Sequence, residues 1–336
     1  SGSAMVFQQN SAMGRGGAIS LVSSVSNVGG KYIENKASQG GGALSLFSTM
    51  PPGNVVSGTA VFLRNVATGS KGGALYISSG ETKINSANFS LNSADNGGAI
   101  GLINEETNIE INNASFSENH ATGDGGAIFG HFVNNIDLNS VVFLGNTADH
   151  NGGAILVSRS SLTIKAHSTI VGNQARHGGG GGIFWSPDSF SSTDYVQHQS
   201  IEDSEWIRYE PTTSDTSTVV RNSATYGDNC ATPIHRLVRW LSATELKDEQ
   251  QLVRSFGSFK RNKNKEYAPL PGSPGVSVLD FYGEQVLTTR ATLQAAVAVA
   301  DGKTLDSRFR PMIDGLSTLE SRADGKTALF TFPNLY

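Results

Sequence analysis

Two histidines and three aspartates are the side chains whose spacing suggests chemistry. His150 and His177 lie 27 residues apart, and each follows an asparagine (Asn146, Asn173) by four positions. Asp95, Asp124 and Asp149 fall in the same short stretches, after Asn92, Asn119 and Asn146. If that stretch recurs once per turn of chain, the two imidazoles lie side by side, about 4.8 Å apart. Such a pair offers nitrogen ligands to a metal, or a donor and an acceptor for proton transfer. The same positions also suit ordinary solvated turn residues. We favour that reading and expect no catalytic residue, no cofactor and no metal.

A second set of candidates is aromatic. Residues 186–218 contain Phe190, Tyr195, Trp206 and Tyr209, with Asp203 and Glu205 between them. The rings of Trp206, Tyr209 and Tyr195 could contact a sugar; alternatively the segment is a flap over an apolar end of the fold, and we favour the flap. A third set is two glycosylation sequons, Asn88-Phe89-Ser90 and Asn113-Ala114-Ser115. Both asparagines precede an inward Phe by an odd number of residues, so strand alternation points them at solvent.

The elements that position these residues are set by an internal repeat. Asn10, Asn35, Asn65, Asn92, Asn119, Asn146, Asn173 and Asn222 are each followed two residues later by Ala. Three residues before them stand Phe7, Tyr32, Phe62, Phe89, Phe116, Phe143, Ile170 and Val219. Gly-Gly-Ala followed by Ile or Leu appears at 16–19, 41–44, 72–75, 97–100, 125–128 and 152–155, with a worn copy at 180–183. The steps between asparagines are 25, 30, 27, 27, 27, 27 and then 49. Self-similarity at such a period is the mark of a solenoid.

The units hold Gly, Ser and Asn rather than helix formers. They contain short alternating runs such as Ile109-Glu110-Ile111 and Leu162-Thr163-Ile164. A unit of short strands joined by Gly and Asn corners is one rung of a parallel β-helix. In that frame the Phe points inward and stacks on the next Phe. The Asn sits at a left-handed corner and forms an amide ladder. The Ala fits a crowded inward corner, and the Gly pair lets backbones approach. The residue after each Asn (Ser11, Lys36, Val66, Ser93, His120, Thr147, Gln174, Ser223) faces out and varies.

Phe-x-x-Asn paired with Gly-Gly-Ala-Ile resembles the repeats of the chlamydial polymorphic membrane proteins, and also repeats in large protist surface proteins. The cleanest copies here are Phe89 to Asn92 with Gly97 to Ile100, and Phe116 to Asn119 with Gly125 to Ile128. The resemblance covers about residues 4–230. It implies a right-handed parallel β-helix outside the cell, used for adhesion or surface architecture. It supplies no catalytic residues.

Composition narrows the function classes. Charged residues make up 16% of the chain and the net charge is −4, with no basic stripe to neutralise phosphates, so nucleic acid is not an expected partner. Cys230 is the single cysteine, which we expect to be buried and unpaired, and stability must come from stacking. No segment approaches the roughly 20 apolar residues of a membrane helix, so direct membrane insertion is not expected. The calcium-binding nonapeptide period is absent, as are the Asn-Thr-Asp and Gly-His-Gly motifs of polysaccharide-cleaving β-helices.

We therefore expect a β-helix of about eight coils over residues 1–232, with an insertion at 186–218. Residues 233–270 are expected to be a linker or cap, with a short helix at 243–254 after the capping box at Ser242 and a solvated basic run at 260–265. Residues 271–336 read as part of an immunoglobulin-like β-sandwich, too short to complete one. The chain starts inside a coil and stops inside a domain, as an internal piece of a longer protein would. The expected role is a non-catalytic structural segment of a large extracellular filament, appendage or cell-surface coat, with neighbouring domains or subunits as partners. The alternatives are an adhesin for host or cell-surface glycans, and a polysaccharide lyase or hydrolase.

Overall fold

The structure, a computed structural model, describes residues 5–22, 29–47, 54–56, 59–187, 203–233, 236–240, 275–282, 292–294, 318–320 and 329–331. The chain divides into two compact units, Ser1–Pro233 and Ile234–Tyr336.

The first unit is a parallel β-helix with four faces. The Phe face stacks eight strands, from Val6–Gln8 through Asn88–Ser90 and Ser115–Ser117 to Thr218–Val220. The Ala face has seven, from Ser11–Ala12 to Gln174–Ala175. The Gly-Gly-Ala face has eight, from Ile19–Val22 to Cys230–Ala231, and the fourth face has six, from Asn54–Val56 to Thr212–Thr213. Among the described residues, six consecutive turns carry a strand on every face, and the turns at either end do so on only some faces. The repeat count of about eight therefore overstates the complete coils.

Register follows the repeat residue by residue. Phe62 pairs with Phe89, Phe89 with Phe116 and Phe116 with Phe143. Ala94 pairs with Ala121 and Ala121 with Ala148; Ile100 pairs with Ile128 and Ile128 with Ile155. The inward rings from Phe7 to Phe143 form one column, with centroids 4.6–5.0 Å apart and planes within 8° of parallel. Each ring contact adds about 0.5–1.5 kcal/mol beyond the area it buries. Past Phe143 the column continues as Ile170 and Val219, which ends the rings but keeps the apolar core.

The asparagines form the expected ladder, in a different backbone state. Asn119 is 1% exposed. Its Oδ1 accepts from both the backbone N and Nδ2 of Asn92, and its own N and Nδ2 donate to Asn146 Oδ1. Its Nδ2 also reaches back to the Phe89 carbonyl. The left-handed residue is the one before it: Glu118 (φ 54), Leu91 (φ 55), Arg64 (φ 53) and Glu34 (φ 54). The Asn side chain is fully used in the ladder, so the chain turns one position earlier. Gly145 and Gly172 stand at that position in two coils, where they relieve the cost of positive φ. The ladder closes on Asn229, whose Oδ1 accepts from Asn222.

The Gly pair behaves as the motif requires. Gly97 turns the chain at φ 63, and a Cβ on Gly98 would collide with the carbonyl oxygen of Gly126 in the next coil. Each coil therefore lies on the next at backbone contact.

Two boundaries move. Thr212–Thr213 pairs with Thr163 and Ile164, and Thr218–Val220 pairs with Thr169, Ile170 and Val171. The insertion is therefore over by residue 212, and the coil resumes well before 218. Arg236–Trp240, expected in a linker, is a strand antiparallel to Gly275–Leu279, which also pairs with Leu329–Thr331. With the two-stranded pair Thr292–Gln294 and Thr318–Glu320, these are the described elements of the second unit, and a sandwich is not shown. The helix expected at 243–254, the basic run at 260–265 and most of 271–336 lie outside the described residues. Cys230 is half-buried rather than buried; it occupies the Ile position of its rung, paired with Ile183. Among the described residues no helix is long and apolar enough to cross a membrane.

Tyr32 is the one tyrosine in the ring column. It is wholly buried, its hydroxyl has no partner, and burial pushes its pKa up to about 12. Removing that hydroxyl removes an unsatisfied buried group. Tyr32→Phe is expected to stabilise the protein by about 1 kcal/mol, a rise of about 2–4 °C in Tm by calorimetry. A lower Tm would contradict this account of the column.

Candidate functional site

The corner between the Ala face and the Gly-Gly-Ala face holds the histidines and aspartates picked out by spacing. The backbone places His177 over His150: His177 N donates to Asp149 O at 3.0 Å, and His150 N to Gly123 O at 2.9 Å. Their side chains differ. His177 is exposed; His150 is half-buried with Nδ1 buried and unpartnered. The carboxylates do not join them as a set. Asp149 is paired with Arg176 at 2.8 Å, Asp95 is half-buried and Asp124 is 3% exposed. Among the described residues, no three His, Cys, Asp or Glu side chains come together in a way that could hold a metal.

Asp124 instead belongs to a second ladder. Its backbone N donates to Asn96 Oδ1 at 2.9 Å. Its Oδ1 accepts from Asn151 N at 2.9 Å and Asn151 Nδ2 at 3.1 Å, and Asn151 Oδ1 accepts from Gly179 N. The signal was present in the sequence: Asn96, Asp124 and Asn151 each stand directly before the Gly pair. Earlier coils put Arg15, Gly40 and Lys71 there, so the position does not look like a repeat until the register is known. Burial raises the Asp124 pKa; the hydrogen bonds from Asn151 and the charge of His150 act against that rise.

The aromatic insertion resolves into a short helix, Asp203–Tyr209, which the sequence reading missed. It packs against the strands Ser161–Lys165 and Ile183–Ser186. Trp206 is 3% exposed, its ring edge-on to Trp185 at 5.6 Å and 70°. Tyr209 is half-buried beside the Arg208 guanidinium, which lies 5.4 Å from its ring centre. Tyr195 lies outside the described residues. The packing of Trp206 is that of an anchor for a covering segment.

Both sequon asparagines are exposed. Asn88 Oδ1 accepts from Ser115 Oγ at 2.7 Å, which ties one sequon to the other across neighbouring coils. Asn113 sits at a left-handed corner, φ 52.

The family model for the Chlamydia polymorphic membrane protein repeat matches residues 113–131 and 140–158. These spans run from the Phe strand to the end of the Gly-Gly-Ala strand in two successive coils. Two successive coils of the chain thus match this repeat. No curated protein and no solved structure matches the chain.

The second ladder generates a test. Asn at position 124 would add the missing Nδ2 donor toward Asn96 Oδ1 and remove a buried charge. The folded carboxyl has a raised pKa, so ionisation of Asp124 weakens the fold as pH rises. That loss is complete above the folded pKa and vanishes below the ordinary carboxylate value of about 3.9. Asp124→Asn should therefore stabilise by about 1 kcal/mol at neutral pH, with the gain narrowing as acid is added. Chemical denaturation at several pH values measures it; an equal or lower stability at neutral pH would remove the ladder assignment.

Proposed function

We propose that this chain, two coils of which match the Chlamydia polymorphic membrane protein repeat, is a surface-exposed structural segment. It serves as a rigid, non-catalytic spacer within a larger extracellular filament, appendage or coat. The observation that carries this reading is the register of the inward repeat residues, kept from coil to coil across a bulge between Ala67 and Lys71. Every inward position of the repeat is spent on stacking: rings on rings, amides on amides, glycine backbones in contact. The outward position after each Asn varies from Ser to Lys to His and is never buried. A chain selected as a rod would show this pattern. Neighbouring domains or subunits of such an assembly are its expected partners.

The lyase or hydrolase alternative needs outward carboxylates free to act on a sugar. Asp149 is held by Arg176, and Asp124 is buried in its ladder. A glycan contact through Trp206 needs an open ring face, and that ring is packed on Trp185. Neither the polysaccharide-cleaving reading nor a glycan contact through Trp206 gains support from this geometry.

Antibodies against the exposed faces should label intact, unpermeabilised cells that make the protein. The purified chain should leave oligogalacturonate uncleaved. Labelling only after permeabilisation, or uronate turnover that Asp149→Ala abolishes, would overturn the proposal.

A further inference from the structure

The outer side of the Gly-Gly-Ala face carries a row of cations and rings outside the inward positions of the repeat. Lys71 Nζ lies 5.7 Å from the ring centre of Phe129. Phe129 and His131 are 6.3 Å apart, and His131 meets Phe132 edge-on at 4.4 Å. Arg159 Cζ then lies 5.1 Å from the Phe132 ring centre. Lys71 reaches across Gly101, the residue in register with Phe129 on the intervening coil, where a side chain would strike the Lys71 Cβ. Further along the same column Arg15 lies over Tyr76 in the same manner, 4.9 Å from its ring centre.

From this row we infer that the edge between Lys71 and Arg159 binds an anionic glycan, with Lys71, His131 and Arg159 taking its carboxylate or sulfate groups. Four observations support the site. First, the cations are uncompensated. The ion pairs among the described residues join Arg64 to Glu34, Lys83 to Glu110, Lys165 to Asp137 and Arg176 to Asp149, and neither Lys71 nor Arg159 is among them. A chain of net charge −4 has nonetheless gathered three basic groups in one row.

Second, His131 Nδ1 is buried and has no partner, so the site contains a polar atom without a hydrogen bond. Third, two members of the row share one left-handed corner in successive coils. Phe132 has φ 55 and Arg159 φ 45, at a corner where the preceding coil places Asn104, a residue suited to that conformation. Left-handed corners recur in every coil whatever residue fills them, as at Arg64 and Leu91, so here the turn places Phe132 and Arg159 at one edge in successive coils. Fourth, the rings order the cations before a ligand arrives, which lowers the entropy lost on binding.

The row runs across several coils, so one acid group cannot reach both ends. A polymer with repeated acid groups can. Burial pushes the His131 pKa down, and the charges of Lys71 and Arg159 push it the same way. The acidic residues one coil away lie in the turn at Asn104; Glu105 is exposed and Glu106 accepts from Ser79. A bound anion reverses the bias on His131 and favours imidazolium, so affinity should rise as pH falls through the His131 pKa.

Calorimetric titration of the full chain with four probes tests the site: a heparin-type sulfated oligosaccharide, an oligogalacturonate, neutral dextran and single-stranded DNA. Binding of the sulfated or the carboxylated glycan, with neither dextran nor DNA bound as tightly, is the expected result. Which of the two binds tells sulfate from carboxylate. Lys71→Ala with Arg159→Ala should lower affinity about tenfold or more, whereas Lys83→Ala with Lys165→Ala should not. His131→Gln should flatten the pH dependence. Arg159→Gly should lower affinity while keeping or raising Tm, because glycine relieves the positive φ. No binding to either acidic glycan, equal binding of DNA, or affinity unchanged by the Lys71 and Arg159 substitutions would overturn the inference.

Discussion

A buried carboxamide in every coil holds the helix in register. Each internal ladder Asn takes two donors from the coil before it, gives two to the coil after it, and returns one to the Phe carbonyl behind. One side chain thus ties three coils. In water an amide is satisfied by solvent; at 0–1% exposure it depends on the neighbouring Asn and on the Phe carbonyl behind. A slip of one residue would leave a run of buried donors and acceptors unpaired and turn the rings outward. The ring column and the glycine contacts add energy, but they discriminate less between registers than the ladder does.

The same constraint separates what was legible in the sequence from what was not. Phe89, Asn92, Ala94 and Gly97 occupy fixed places in the rung, so their neighbours across coils follow from the period alone. The backbone state of the Asn was misread because residue preference was applied to Asn itself, whereas the side chain's role in the ladder moves the turn to Leu91 or Glu118. The insertion boundary was misplaced because Thr212–Thr213, on the fourth face, pairs without a motif residue that would mark it. The helix at Asp203–Tyr209 has only seven residues and is anchored by tertiary packing of Trp206, which local pattern does not reveal.

Outward positions follow a different logic. His150 and His177 were brought into register as their spacing implied, yet their side chains lie in unlike surroundings, and the nearby carboxylates have other partners. The row from Lys71 to Arg159 is the converse case. Its members come from three coils and belong to no local motif, and they meet only once the coils are stacked. In a repeat protein the conserved-looking residues specify the rod, while recognition is assembled from residues that differ between rungs.

The ladder is the claim on which the rest depends, and one substitution tests it directly. Asn119→Ala removes the acceptor for Asn92 and leaves the Phe89 carbonyl and Asn146 Oδ1 each short of a donor. With several buried groups left unsatisfied, the expected loss is about 3 kcal/mol or more, a fall of about 6–12 °C in the Tm of the β-helix transition. His120→Ala, at the adjoining outward position, should change that Tm by about 1 °C or less. If Asn119→Ala melts within a degree or two of the parent protein, the ladder does not hold the register and this account of the fold fails.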